Sequence, residues 1–162
     1  MIANSSTLNQ PVIPPHPSAP YNRWLAAWDR SDYLELGSFE TAPGSARGHV
    51  ANVLLEWRLG RLADSMRLVV SELVTNSVLA TGAVSWSAKR PPVRVWTLGG
   101  SSSVLVLVWD AVDGAPVRRE AGEADESGRG LAIVDALSAR WDFYRPAAPF
   151  GGKVTWALVD SP

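Results

Sequence analysis

Two hydrophobic periods alternate along the chain. Apolar residues spaced three or four apart predict helix, and alternating or continuous apolar residues predict strand. The strongest helical stretch covers residues 61–82, RLADSMRLVVSELVTNSVLATG. Met66, Val69, Val70, Leu73 and Ser77 share one stripe, Asp64 or Ser65 can cap its start, and Gly82 ends it. An earlier helix follows the turn residues TAPGS, with Val50, Val53, Leu54 and Trp57 at helical spacing and Gly60 as its stop. Trp24 and Trp28 stand four apart in YNRWLAAWDR, which predicts a short helix. A last helix spans residues 128–139.

The strand signals are equally distinct. YLELGSF (33–39) and VRVWTLGG (93–100) alternate, and WDFYR and KVTWALV close the chain. VLVLVWD (104–110) is apolar until Asp110, the pattern of a central strand covered on both faces. The order β-α-α-β-β-α-β-β predicts an α/β (α+β) two-layer sandwich, with a mixed, mostly antiparallel sheet and helices on one face. Residues 1–30 read as a flexible Pro-rich tail containing the short helix, and residues 31–162 as the folded domain. Residues 111–127, polar between two apolar elements, read as a long loop of the kind that carries function.

Composition narrows the function classes. Of 162 residues 46% are apolar, enough for a sizeable core. Fifteen basic against sixteen acidic residues, net charge −1, argue against bulk nucleic-acid binding. The absence of cysteine excludes disulfides, thiolate zinc sites and cysteine nucleophiles. The two histidines, His16 and His49, are too far apart in the chain to suggest a metal motif. No apolar run reaches membrane-spanning length, and the N-terminus lacks a signal-peptide pattern, so a cytoplasmic protein without membrane association is expected. The eight tryptophans are scattered, which favours packing roles over a stacking platform.

Three stretches carry chemistry. In SELVTNSV, Glu72 and Asn76 are four apart and leave the same side of the long helix. A carboxylate there can take a proton and a carboxamide oxygen can ligate Mg²⁺, although an ordinary solvated polar pair fits the same spacing. Asp110 ends the most apolar strand, where a carboxylate can accept from an adenine amino group and Gly114 lets backbone approach a flat base; Asp110 and Asp113 could also serve only the turn. ESGRGLAIVDAL puts free N–H groups at a helix start, which suits a phosphate and equally suits plain helix initiation with Ser127 as cap. Arg129 could reach phosphate or pair with nearby acidic residues.

Taken in order, these stretches resemble the GHKL (histidine kinase-like) ATPase superfamily. The closest likeness is to stand-alone actinobacterial ATP-binding proteins similar to anti-sigma-factor serine/threonine kinases. SELVTN resembles the N box, DAVDGAP the first glycine box with the aspartate-to-proline spacing of the short kinases, ESGRGLAIVDAL the second glycine box, and GGKVTWAL the closing strand. The likeness spans roughly residues 33–160. It implies the Bergerat ATP-binding fold, with ATP and Mg²⁺ as cofactors and residues 111–127 as the lid. Asn76 would be the Mg²⁺ ligand and Glu72 the catalytic base. Asp110 and Thr155 would hold adenine, with Gly114 beside the base. Gly128, Arg129, Gly130 and Leu131 would line the phosphates. The implied activity is phosphorylation of a protein antagonist in bacterial transcriptional regulation.

The sequence departs from the family pattern at two places. Val112 stands where Gly or Ser is usual, and Ala80 where the anti-sigma kinases often carry histidine. These departures motivate an alternative, an ATP-binding module that sequesters a sigma factor or a small DNA-binding regulator. A homodimer is compatible with either. A two-component histidine kinase fits poorly, because the chain leaves no room for a dimerisation helix pair.

Overall fold

A computed structural model describes residues 10–116 and 130–161. Residues 1–9, 117–129 and 162 are outside the described residues, and with them Gly128, Arg129 and most of the expected lid.

The elements follow the expected order: α1 (Ala19–Ala26), β1 (Arg30–Leu36), α2 (Ala42–Glu56), a 3₁₀ turn (Gly60–Leu62), α3 (Ala63–Gly82), β2 (Val93–Gly99), β3 (Ser103–Asp110), α4 (Gly130–Leu137), β4 (Arg140–Tyr144) and β5 (Lys153–Asp160). The strands form one five-stranded sheet in the order β1-β2-β3-β5-β4, antiparallel at every pairing, which corrects the expectation of a mixed sheet. β3 sits at its centre, and Val104 to Val108 are all buried, as a doubly covered strand requires.

The sheet's two faces bury different residues. Val93, Val95, Val104, Val106, Val108, Ala157 and Val159 pack against α2, α3 and α4. The α3 stripe of Met66, Val69, Val70, Leu73 and Ser77 is buried as its spacing predicts. This layer of sheet and helices is the two-layer α+β arrangement. The other face carries Trp96, Leu98, Leu105, Leu107, Val154 and Trp156.

That second face corrects two expectations. Helices do not all lie on one side, and residues 10–28 are not a free tail. Tyr21, Trp24, Leu25 and Trp28 of α1 and its flank pack on the second face, with Trp24 edge-on to Trp156 at 5.4 Å. Trp96 Nε1–H donates to the Pro11 carbonyl at 3.0 Å, and the Tyr144 hydroxyl to the Pro14 carbonyl at 2.7 Å. The His16 ring stacks on Tyr21 at 4.1 Å, and its Nδ1 accepts from the Ser18 N–H at 2.8 Å. The physical reason is the apolar area of that face, which is costly to leave in water. The proline-rich segment has little conformational entropy to lose in covering it.

Two helix ends also differ from the sequence pattern. α3 begins at Ala63 after the 3₁₀ turn, with Leu62 at the cap position and no side-chain cap from Asp64 or Ser65. α2 stops before Gly60. Arg58 adopts φ 60°, Leu59 N–H donates to the Leu54 carbonyl at 2.8 Å, and Arg58 N–H to the Leu55 carbonyl at 3.1 Å. This is a Schellman motif with arginine at the position that usually holds glycine, held by burial of Leu54 and Leu59 in one cluster. Among the described residues no helix is long and apolar enough to cross a membrane.

Candidate functional site

α3 presents Glu72 and Asn76 half-buried, on the side rotated from its core stripe. Packing on α2, α4, β3 and β5 fixes this helix rigidly. Glu72 lies against the first residue of α4: a methyl group added at Gly130 would meet Glu72 Oε2 at 2.6 Å. From the other side comes Arg47 of α2, whose guanidinium donates to Ser71 Oγ at 2.7 Å. Burial pushes the Glu72 carboxyl above its ordinary range, and the Arg47 charge opposes that rise. A carboxylate with a raised pKa is a better proton acceptor than a fully solvated one. Arg47 was not foreseen. Its one signal is its place beside the apolar Ala46 and Val50 on α2, which puts it at the edge of the face turned to α3.

Asp110 is reached from the sheet. Val108 faces the helices, so Asp110, two residues on, faces them too. Its side chain is fully buried, at 0% exposure. Oδ1 accepts from Lys153 Nζ at 2.8 Å and from the Val112 N–H at 3.0 Å. Oδ2 is buried and has no hydrogen-bond partner among the described residues. The two carboxylate oxygens therefore differ: Oδ1 is engaged, and Oδ2 has no partner among the described residues. Lys153 is the cross-strand partner of Asp110 and is itself 3% exposed. Nothing in the residue order marks Lys153, because a lysine at a strand start usually points into solvent.

The backbone around Asp110 is shaped by two glycines. Gly114 has φ 119°, and a Cβ placed there would find no atom of the described residues within 4 Å, so it offers bare backbone. Gly152 has φ 78°, and a Cβ there would collide with the Asp110 carbonyl oxygen. Its N–H donates to Asp113 Oδ1 at 3.3 Å, so Asp113 serves the turn. Thr155 lies two residues beyond Lys153 on the same face of β5, opposite Val108 and buried.

Two groups of predicted residues are therefore assembled. Asp110 and Thr155, joined by Lys153, face the helix layer at the junction of β3 and β5. Glu72 meets Gly130 where α3 meets α4, with Leu131 buried in the first turn of α4 and Asn76 one turn along α3 from Glu72. α3 packs on both β3 and β5 and so links the groups. Gly128 and Arg129 lie outside the described residues. Among the described residues no cluster of three or more His, Cys, Asp or Glu side chains could hold a metal by itself. No family model matches the chain, and no curated protein matches it.

Proposed function

We propose that this domain binds Mg-ATP beside α3, between the β3–β5 junction and the start of α4, and transfers phosphate to a serine or threonine of a protein regulator. The observation that carries the proposal is Asp110 Oδ2, a buried carboxylate oxygen with no partner among the described residues. Buried polar atoms are normally hydrogen-bonded, and an open one marks the place of a missing donor. An ionised carboxylate only accepts, so the group it suits is a donor such as the 6-amino group of adenine. The bare backbone at Gly114 supports a flat ring nearby. Since Oδ2 is buried, a base reaches it only as the loop leaving β3 gives way, and Ala111, Val112 and Gly114 of that loop are half-exposed.

The remaining roles follow from position. Gly130 opens α4, whose first-turn N–H groups and dipole favour phosphate oxygens. Asn76 would offer its amide oxygen to Mg²⁺, an ion that keeps waters and phosphate oxygens as its other ligands and needs no protein cage. Bound ATP supplies the phosphoryl group and Mg²⁺ offsets its charge. Glu72, held between Gly130 and the Arg47 charge, takes the proton of the attacking hydroxyl. Thr155 and Leu131 would line the base and phosphate ends.

Calorimetric titration with ATP, with and without Mg²⁺, tests the proposal. Mg²⁺-dependent binding is expected, abolished in Asp110→Ala and weakened in Asn76→Ala. Absence of binding by the wild-type protein under every condition would overturn it. The second reading, sequestration of a regulator without transfer, is favoured by Val112 and Ala80. Complex formation with a partner in labelled ATP, without labelling of that partner, would select it.

A further inference from the structure

The pair of Asp110 and Lys153 is buried more deeply than any other ion pair among the described residues, at 0% and 3% exposure. Burying two opposite charges is seldom more stabilising than an apolar pair of the same volume. The geometry around the pair is also one-sided. Lys153 Nζ and the Val112 N–H both converge on Oδ1, and Nζ lies 3.5 Å from the Val112 carbonyl. Neither donor addresses Oδ2.

We propose that Lys153 is a positioning residue that sets base selectivity: by countering the charge of Asp110 and anchoring Oδ1, it keeps Oδ2 a pure acceptor that takes a 6-amino purine and rejects a 6-oxo purine. This rests on the nucleotide site proposed above. A 6-oxo oxygen set against a carboxylate oxygen brings two acceptors together with no proton between them. Both are then buried unpaired, which costs on the order of a hydrogen bond to a charged acceptor. Without Lys153 the Oδ1 atom loses its buried donor, and the carboxylate is no longer held with Oδ2 as the one acceptor set against the 6-position. Selectivity thus depends on a residue that need not touch the base.

The test is titration of the full chain with ATP and, separately, inosine triphosphate. The wild-type protein is expected to favour ATP by roughly ten- to hundredfold, the range for a hydrogen bond to a charged acceptor. In Lys153→Met and Lys153→Gln the ratio is expected to fall toward one, and Lys153→Arg, which keeps the charge, to restore it. A lysine with only a structural role would weaken both nucleotides alike, so an unchanged ratio in a folded neutral variant overturns the proposal. If circular dichroism shows that neither neutral variant folds, the wild-type ratio decides: preference for ATP supports the proposal, and equal affinity overturns it. Wild-type protein that binds neither nucleotide would instead overturn the nucleotide site itself.

Discussion

Replacing Gly152 by alanine probes how tightly the mouth of the candidate site is built. Two penalties add. At φ 78° an L side chain is in the left-handed region, which costs about 1–2 kcal/mol. The new Cβ would also collide with the Asp110 carbonyl oxygen and press on Ala111 Cα and Asp110 C at 3.0 Å each. These are backbone atoms at the end of β3 and just beyond it, and they cannot swing aside as a flexible side chain does, so overpacking adds about 1–3 kcal/mol. The sum is about 2–5 kcal/mol, a large share of the ~5–15 kcal/mol that holds a typical domain together. Urea unfolding followed by tryptophan fluorescence measures it. Gly151→Ala is the matched control, since a Cβ there meets nothing within 4 Å among the described residues, and it should stay within about 0.5 kcal/mol of wild type. If Gly152→Ala were as stable as that control, the close approach of β5 to the end of β3 would not be a constraint, and the reasoning would be wrong.

Other expectations are as direct. Glu72→Ala should retain ATP binding and lose phosphate transfer by roughly 10²–10⁴-fold; a transfer assay showing an unchanged rate would remove Glu72 as the base. His49 Nε2 lies 2.5 Å from Asp32 Oδ2, and that hydrogen bond raises its pKa above 6.5 against the opposing effect of burial. The stabilisation is therefore fully present below pH 6.5 and is lost as pH rises through the raised value. The urea midpoint difference between wild type and His49→Gln should accordingly shrink from acid to alkaline pH, and a constant difference would contradict the assignment. His16 runs the other way: burial lowers its pKa, so its contribution is present above 6.5 and is lost as pH falls through the lowered value. Hydrogen-exchange protection across residues 10–28 should fall on acidification in wild type more than in His16→Phe. Trp24→Ala removes the edge-on contact with Trp156 and should cost about 2 kcal/mol or more in denaturant unfolding.

Much of this protein is local and could be read from the chain. The periods of residues 61–82 and 104–110 specify α3 and β3, because burial of one stripe or of both faces is written directly into residue order. Glu72 and Asn76 follow from helical spacing alone, and Asp110 from its place at the end of an apolar strand. What the chain order could not show depends on residues far apart in sequence. The second apolar face of the sheet exists only once β2, β3 and β5 are paired, and only then do residues 10–28 have a surface to cover. The end of α2 at Arg58 was hidden for the same reason, since burial of Leu54 and Leu59 outweighs the ordinary preference for glycine. Lys153 meets Asp110 through strand register across 43 positions, and Arg47 reaches α3 through helix packing. The sequence by itself determined the elements and the chemical types they carry. The tertiary structure decided which of those groups share a buried, low-dielectric environment, where Asp110 Oδ2 has no partner among the described residues and hydrogen bonds are strong.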